Sequence, residues 1–309
     1  MPRLKELMLF SLVTLSLPAF GQGGNQAVPG ALNYVEGTVL LNGQALNSHS
    51  VGTAVVAPGQ SLQTGMGKAE MLLTPGVFLR LDSKSAVMMV SPSLTHTEVE
   101  LERGRALVEV DQIHKENDLL IDQRDGGTRL LEPGLYEFDA NHNLMRVFQG
   151  KAAVYAGTGA QDGDEPVHLP SVEVKGGHQV MVGAQLTKPT GFDRKDAEQS
   201  DPLYRWSSLR SQYLGEANLE LAQEYAGAGG GFTPGWAWDP YFYGYTWLPG
   251  DGLFWNPFGW GFYSPWYIWG GGYIYGRGFG GYRGGYGGYA RGGFAGGHMG
   301  GGMGGGGHR

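Results

Sequence analysis

The chain contains no cysteine. That excludes disulfides, thiolate nucleophiles and cysteine-held zinc or iron–sulfur centres, and it removes the residue on which a lipid anchor would be built. Stability has to come from packing alone. Histidine is sparse and scattered: His49, His96, His114, His142, His168, His178, His298 and His308 include no His-x-x-x-His pair. No Gly-x-Ser-x-Gly elbow and no P-loop occurs. The sequence therefore points to no catalytic residue, no metal ligand and no cofactor, and the expectation is a protein that is not an enzyme. Carboxylates are plentiful, and a pair assembled in space is one catalytic device that a linear sequence does not exclude.

Long apolar runs are also lacking. The N-terminal one, Leu7 to Leu17, is 11 residues interrupted by Ser11, Thr14 and Ser16, whereas a membrane span needs about 20. It follows Arg3 and Lys5 and precedes Pro18 and Ala19-Phe20-Gly21, which place small residues at the −3 and −1 positions. This is the pattern of a cleavable signal peptide over residues 1–21, with Gln22 as the mature N-terminus. The expected address is the periplasm, the cell surface or the medium.

Basic charge is short in the body of the chain. The formal net charge is −7 overall, and residues 22–226 alone carry −10. An acidic body argues against nucleic acid as a partner. After Gly227 the balance changes. The last 83 residues contain no Lys, no Glu and only two acids, Asp239 and Asp251, but 32 glycines, seven of the eight tryptophans and ten of the sixteen tyrosines. Glycine loses the most backbone entropy on ordering, so residues 227–309 are expected to be a low-complexity, largely disordered tail. Arg283-Gly284-Gly285-Tyr286 and Arg291-Gly292-Gly293-Phe294 look like RNA-binding Arg-Gly-Gly segments, but export would keep them from RNA. The exposed aromatic faces expected at Trp236, Trp238, Tyr241, Trp255 and Trp260 are the candidate binding residues. They would stack on sugar rings, rest at a membrane interface, or fold back over an open sheet edge.

What remains between Ala31 and Val182 is a succession of short alternating strands. Tyr34 to Leu41 ends at Asn42-Gly43, a hairpin signal. Ala69 to Leu73 and Val77 to Leu81 flank Thr74-Pro75-Gly76, and further strands recur about every 8–12 residues, which argues for a jelly-roll-like β-sandwich rather than a βαβ fold. Arg103-Gly104-Arg105-Ala106-Leu107-Val108 is echoed by Gln149-Gly150-Lys151-Ala152-Ala153-Val154. Each copy reads as a tight turn with glycine at positive φ, hence as one of two similar hairpins. The Gly- and Asp-rich residues 157–170 read as a solvated loop. Residues 192–226 hold a linker and one amphipathic helix from Asp201 to Ala226. Asp201 is its cap and Pro202 lies in its first turn. Its apolar stripe is Leu203, Trp206, Leu209, Tyr213, Leu214, Ala217 and Leu221, with Arg205, Arg210, Glu216 and Glu220 mostly off it.

The order of these segments resembles the FecR domain family of bacterial envelope proteins over about residues 31–183. The matching stretches are Glu36-Gly37-Thr38-Val39, Ala57 to Gly65, Lys68 to Leu73, Val99 to Val110 around Arg103-Gly104-Arg105, Val147 to Val154 around Gly150, and Lys175-Gly176-Gly177-His178-Gln179. The resemblance implies an all-β domain and an envelope address. The best-known members control a sigma factor through a cytoplasmic N-terminal segment, where this chain has a signal peptide instead. The leading expectation is an exported envelope binding or scaffold protein, holding an envelope protein or a polysaccharide, with peripheral membrane contact through the tail. The alternative is a periplasmic signal-sensing accessory to a sigma-factor regulator.

Overall fold

The structure, a computed structural model, describes residues 27–157, 170–229 and 231–270. The expected signal peptide, most of the acidic loop and the tail beyond Gly270 lie outside the described residues.

The chain is mostly β-structure. Its strands are β1 (Leu32–Leu41), β2 (Gln44–Leu46), β3 (Ser61–Leu72), β4 (Val77–Leu81), β5 (Ala86–Pro92), β6 (His96–Arg103), β7 (Arg105–Val110), β8 (Asp118–Gln123), β9 (Gly126–Leu130), β10 (Gly134–Asp139), β11 (Leu144–Gln149), β12 (Lys151–Ala156), β13 (Ser171–Lys175), β14 (His178–Met181) and β15 (Thr190–Gly191). They form one continuous sheet in the order β13-β12-β9-β8-β6-β5-β3-β4-β7-β10-β11-β14-β15, with β1 and β2 on the other side of β3. Strand β3 joins the two wings. Ser61, Leu62 and Gln63 pair with β5, whereas Ala69 to Leu72 pair with β4. The two wings share one apolar core, so the sheet folds over into an open, sandwich-like all-β fold. Val99, Leu119, Ile121, Val154 and Val174 enter that core from one wing, and Leu79, Val108, Phe138, Met145 and Val147 from the other.

Alternation along the second wing puts the opposite set of side chains on its outer face. In β4, Val77, Leu79 and Leu81 point into the core, which leaves Phe78 and Arg80 outside. In β7, Ala106, Val108 and Val110 point in, leaving Leu107 and Glu109. This outer face is covered by α1 (Arg194–Ser200) and the 26-residue α2 (Pro202–Gly227). It is covered further by the hairpin β16 (Gly235–Asp239) with β17 (Gly244–Leu248), the hairpin β18 (Leu253–Trp255) with β19 (Gly261–Tyr263), and α3 (Pro265–Trp269). Leu72 and Phe78 of the sheet pack with Leu214 of α2 and with Tyr245, Trp247 and Phe262 of the hairpins.

Three expectations need correction. First, Gly104 and Gly150 do take positive φ, +76° and +94°, but neither closes a hairpin. β6 pairs with β5 and β8 while β7 pairs with β4 and β10; β11 pairs with β10 and β14 while β12 pairs with β9 and β13. Both glycines are corners at which the chain passes from one wing to the other. A Cβ on Gly104 would lie 2.6 Å from Ser85 Cα, so the corner has no room for a side chain.

Second, the segment 231–270 is folded, so the folded body does not end at Gly227 and reaches at least Gly270. Bulky rings offset the entropy of its glycines, since each aromatic side chain buries about 150–250 Å².

Third, the buried face of α2 is rotated from the expected stripe. Leu209 and Tyr213 are about half exposed, whereas Ser207, Arg210, Ser211 and Asn218 are buried. The sheet face opposite them carries charge, and a polar helix face answers it. The expected cap holds: the Asp201 carboxylate accepts from Leu203 N at 2.8 Å.

Candidate functional site

Beneath α2 lies a buried ionic cluster. The Arg80 guanidinium donates from Nε to Glu70 at 2.7 Å and from Nη1 to Glu109. Glu70 also accepts from Arg210 Nη2 at 2.9 Å and from Asn33 Nδ2 at 2.9 Å. Glu109 also accepts from the Ser211 hydroxyl and, at 2.7 Å, from Asn256 Nδ2. The Arg80 and Asn33 bonds are therefore sheet to sheet, whereas those of Arg210, Ser211 and Asn256 tie the sheet to α2 and to the second hairpin. Burial opposes ionisation of Glu70, but Arg210 and Arg80 outweigh it and hold its carboxyl down at about 2. Asp111, two residues beyond Glu109, goes the other way: burial and the Glu109 carboxylate push its pKa well above the usual range.

Two asparagines fasten the hairpins. Asn33 Oδ1 accepts from Tyr245 N at 2.6 Å and its Nδ2 donates to Tyr245 O at 3.0 Å. Asn218 does the same for Tyr263, at 2.6 and 3.1 Å, and also donates to Trp247 O at 2.8 Å. Each carboxamide thus pairs with both the N–H and the C=O of one hairpin residue. The hairpins are themselves built alike. Asp239 Oδ1 accepts from Tyr241 N and Phe242 N, and Asn256 Oδ1 accepts from Phe258 N and Trp260 N. Each is an Asx turn followed by proline, Asp239-Pro240 and Asn256-Pro257.

The five candidate aromatics divide by position. Trp236 and Trp238 lie on one side of β16, half-buried. Trp236 meets Phe78 edge to face at 5.0 Å, and Trp238 meets Tyr243 and Tyr245 at 5.2 and 5.0 Å. Trp260 packs against α2, with its Cβ 3.2 Å from where a side chain on Gly215 would start. Tyr241 and Trp255 are exposed, 93% and 64%, and sequence reasoning missed further exposed rings, the most open being Trp266 at 53% and Trp269 at 68%. The structure therefore brings Trp236 and Trp238 together and leaves the other three at separate places on the aromatic cap formed by residues 231–270.

Two clefts border this region. One, of about 450 Å³, is lined by Trp236, Trp238, Tyr225, Tyr245, Pro75 and Pro234, among others. The other, of about 500 Å³, lies where α1 meets α2 and is polar, with Arg105, Arg146, Glu137, Asp139, Asp193 and Asp201 in its wall. Arg105 bridges Glu137 at 2.6 Å and also Asp201, so it ties the α2 cap to the sheet. Among the described residues no group of three or more His, Asp or Glu is placed to hold a metal ion, and no helix is long and apolar enough to cross a membrane.

No family model and no curated protein matches this chain. Two crystal structures of a candidate anti-sigma factor from Parabacteroides distasonis ATCC 8503 overlap it at TM-score 0.34, with 14% and 15% identity. Each alignment covers 44% of this chain, and the chain spans 62% of that protein's length. An overlap this partial leaves the function to be argued from the site.

Proposed function

We propose that the protein is a non-enzymatic binding protein of the cell envelope and that its folded aromatic cap is the contact surface. The carrying observation is that four large rings, Tyr241, Trp255, Trp266 and Trp269, stand more than half exposed on a frame whose backbone is locked to the β domain. Exposed tryptophan is disfavoured in water, and a rigid aromatic anchor loses little entropy on binding. The acidic body makes nucleic acid a poor partner. Co-sedimentation of the purified full chain with washed cell-envelope fragments tests the reading. Retention that falls when Trp255, Trp266 and Trp269 are replaced together by Ser, with the circular dichroism unchanged, supports it. Equal retention of both forms, or none of either, removes it.

The second reading is the periplasmic accessory to a sigma-factor regulator. It is favoured by the way the segments that resemble the FecR family map onto the strands: Gly37, Gly104 and Gly150 all take positive φ at the ends or bends of β1, β6 and β11. Here the partner is a membrane regulator rather than envelope polymer, and deletion of the chain changes a transcriptional response. An unchanged transcript profile across envelope stresses would remove that reading.

A further inference from the structure

The cleft beside β16 carries a more specific inference, which rests on the binding reading above. We propose that this cleft, with the aromatic track leading out of it, is a site for a linear, uncharged polysaccharide.

Charge decides the ligand class first. No charged side chain is among those that line the cleft, although residues 22–226 carry a net −10. An ionic ligand entering it would lose hydration and find no counter-charge. The lining instead joins ring faces and prolines to a few hydroxyls, Thr233, Tyr225 and Tyr245. A pyranose ring has the matching make-up, a C–H face and a hydroxyl edge.

The rings are held still. Trp238 is fixed by the two tyrosines and lies so close to Gly52 that a Cβ there would fall 2.6 Å from its Cζ3. Gly52 has φ +76°, so the loop leaves that space to the indole. A preorganised wall of this kind binds without first ordering itself.

The track argues for a polymer rather than a single sugar. Tyr225, in the cleft wall, is 6.2 Å from Phe232 between ring centroids; Phe232 is 6.2 Å from Trp266, and Trp266 is 5.9 Å from Trp269. Ring follows ring from the cleft to the exposed end of α3. A peptide could also use an aromatic groove, since proline-rich segments do so elsewhere, and the test includes one.

The full chain is titrated, with tryptophan fluorescence as readout, against cellohexaose and chitohexaose, their trimers, polygalacturonate as a charged glycan, and a proline-rich decapeptide. The expected result is binding of at least one uncharged hexamer and neither polygalacturonate nor the peptide. Val28 and Leu94 are half-exposed residues of the cleft rim, so Val28→Arg and Leu94→Glu leave the fold intact and are expected to weaken the hexamer by about tenfold or more. Trp269→Ala is expected to weaken the hexamer several-fold and leave the trimer unchanged. Hexamer binding indifferent to both rim charges, or binding of the peptide alone, overturns the inference. Envelope retention without affinity for any glycan overturns it too, while the binding reading stands; loss of envelope retention as well removes both.

Discussion

The two faces of the second wing are both covered but differ in chemistry, since only the outer one sets buried charges among its apolar side chains. The inner face is apolar throughout, from Leu79 and Val108 to Phe138 and Val147. The outer face, a backbone's thickness away, seats Glu70, Arg80 and Glu109 with essentially no exposure, under Arg210, Ser211, Asn218 and Asn256. An apolar face accepts any apolar cover of suitable shape. A face of fixed charges and paired carboxamides accepts only a cover that returns most of its hydrogen bonds, because an unmatched buried group is costly. The inner face, with the larger apolar cluster, therefore supplies most of the driving force for folding. The outer face specifies how α2 and the two hairpins dock, and thereby where the aromatic rings point.

Removing the central cation should break the outer face most severely. Arg80→Met leaves Glu109 and Glu70 facing each other with one cation fewer, and the expected loss is about 3–5 kcal/mol in urea unfolding, comparable with about 3–5 kcal/mol for Phe138→Ala on the inner face. A loss below that of a surface substitution would mean that the cluster is not formed. Asn33→Ala and Asn218→Ala each remove the side-chain bonds to the N–H and C=O of one hairpin residue. The expected loss is about 1–3 kcal/mol apiece, with weakened near-ultraviolet circular dichroism from the rings.

Acid and base titrate the outer face in opposite senses. Glu70, held at about 2 against an ordinary 4.5, stabilises the fold above about pH 4.5 and loses that contribution as pH falls toward 2. Asp111 keeps its proton to higher pH in the folded chain than in the unfolded chain, so its contribution is present at acid pH and fades as pH rises above about 4. Asp111→Asn is expected to remove that decline and leave the protein more stable than the wild type at pH 7, as read from unfolding midpoints across pH 4–8. A variant with the wild-type slope would show that Asp111 is not buried beside Glu109. The smallest effect belongs to the exposed rings. Trp255→Ser should change stability by less than about 0.5 kcal/mol and still reduce envelope retention.

Much of the sandwich was legible, because period-two alternation and Gly or Asn-Gly punctuation report strands directly. Asn42-Gly43 does close the β1–β2 hairpin, and Asp201 does cap α2. The partners of Gly104 and Gly150 were not legible: a glycine after a strand marks a sharp corner but not which strand the next segment joins. The cap was hidden by averaging the composition over everything after Gly227. Residues 231–270 hold 8 glycines in 40 residues, against 21 in the 39 that follow, and the repeated Asx-Pro before Gly-aromatic, at Asp239-Pro240 and Gly244-Tyr245 and again at Asn256-Pro257 and Gly261-Phe262, is the turn chemistry of two hairpins. Ser207, Arg210, Ser211 and Asn218 misled the helix reading because a polar buried face has no apolar period. Their signal was the set of charged residues inside otherwise apolar strands, Glu70, Arg80 and Glu109.

The central claim is that the aromatic segment is part of the folded body, locked there by Asn33, Asn218 and the ionic cluster. Native-state hydrogen exchange at the amides of Tyr245 and Tyr263 tests it most directly, since both amides donate to those asparagines. Protection matching that of Val108 and Phe138 in the sheet, and lost selectively in Asn33→Ala and Asn218→Ala, is the expected result. Exchange at the rate of an unfolded chain in the wild type would contradict the claim, and the aromatic rings would then belong to a tail rather than to a built surface.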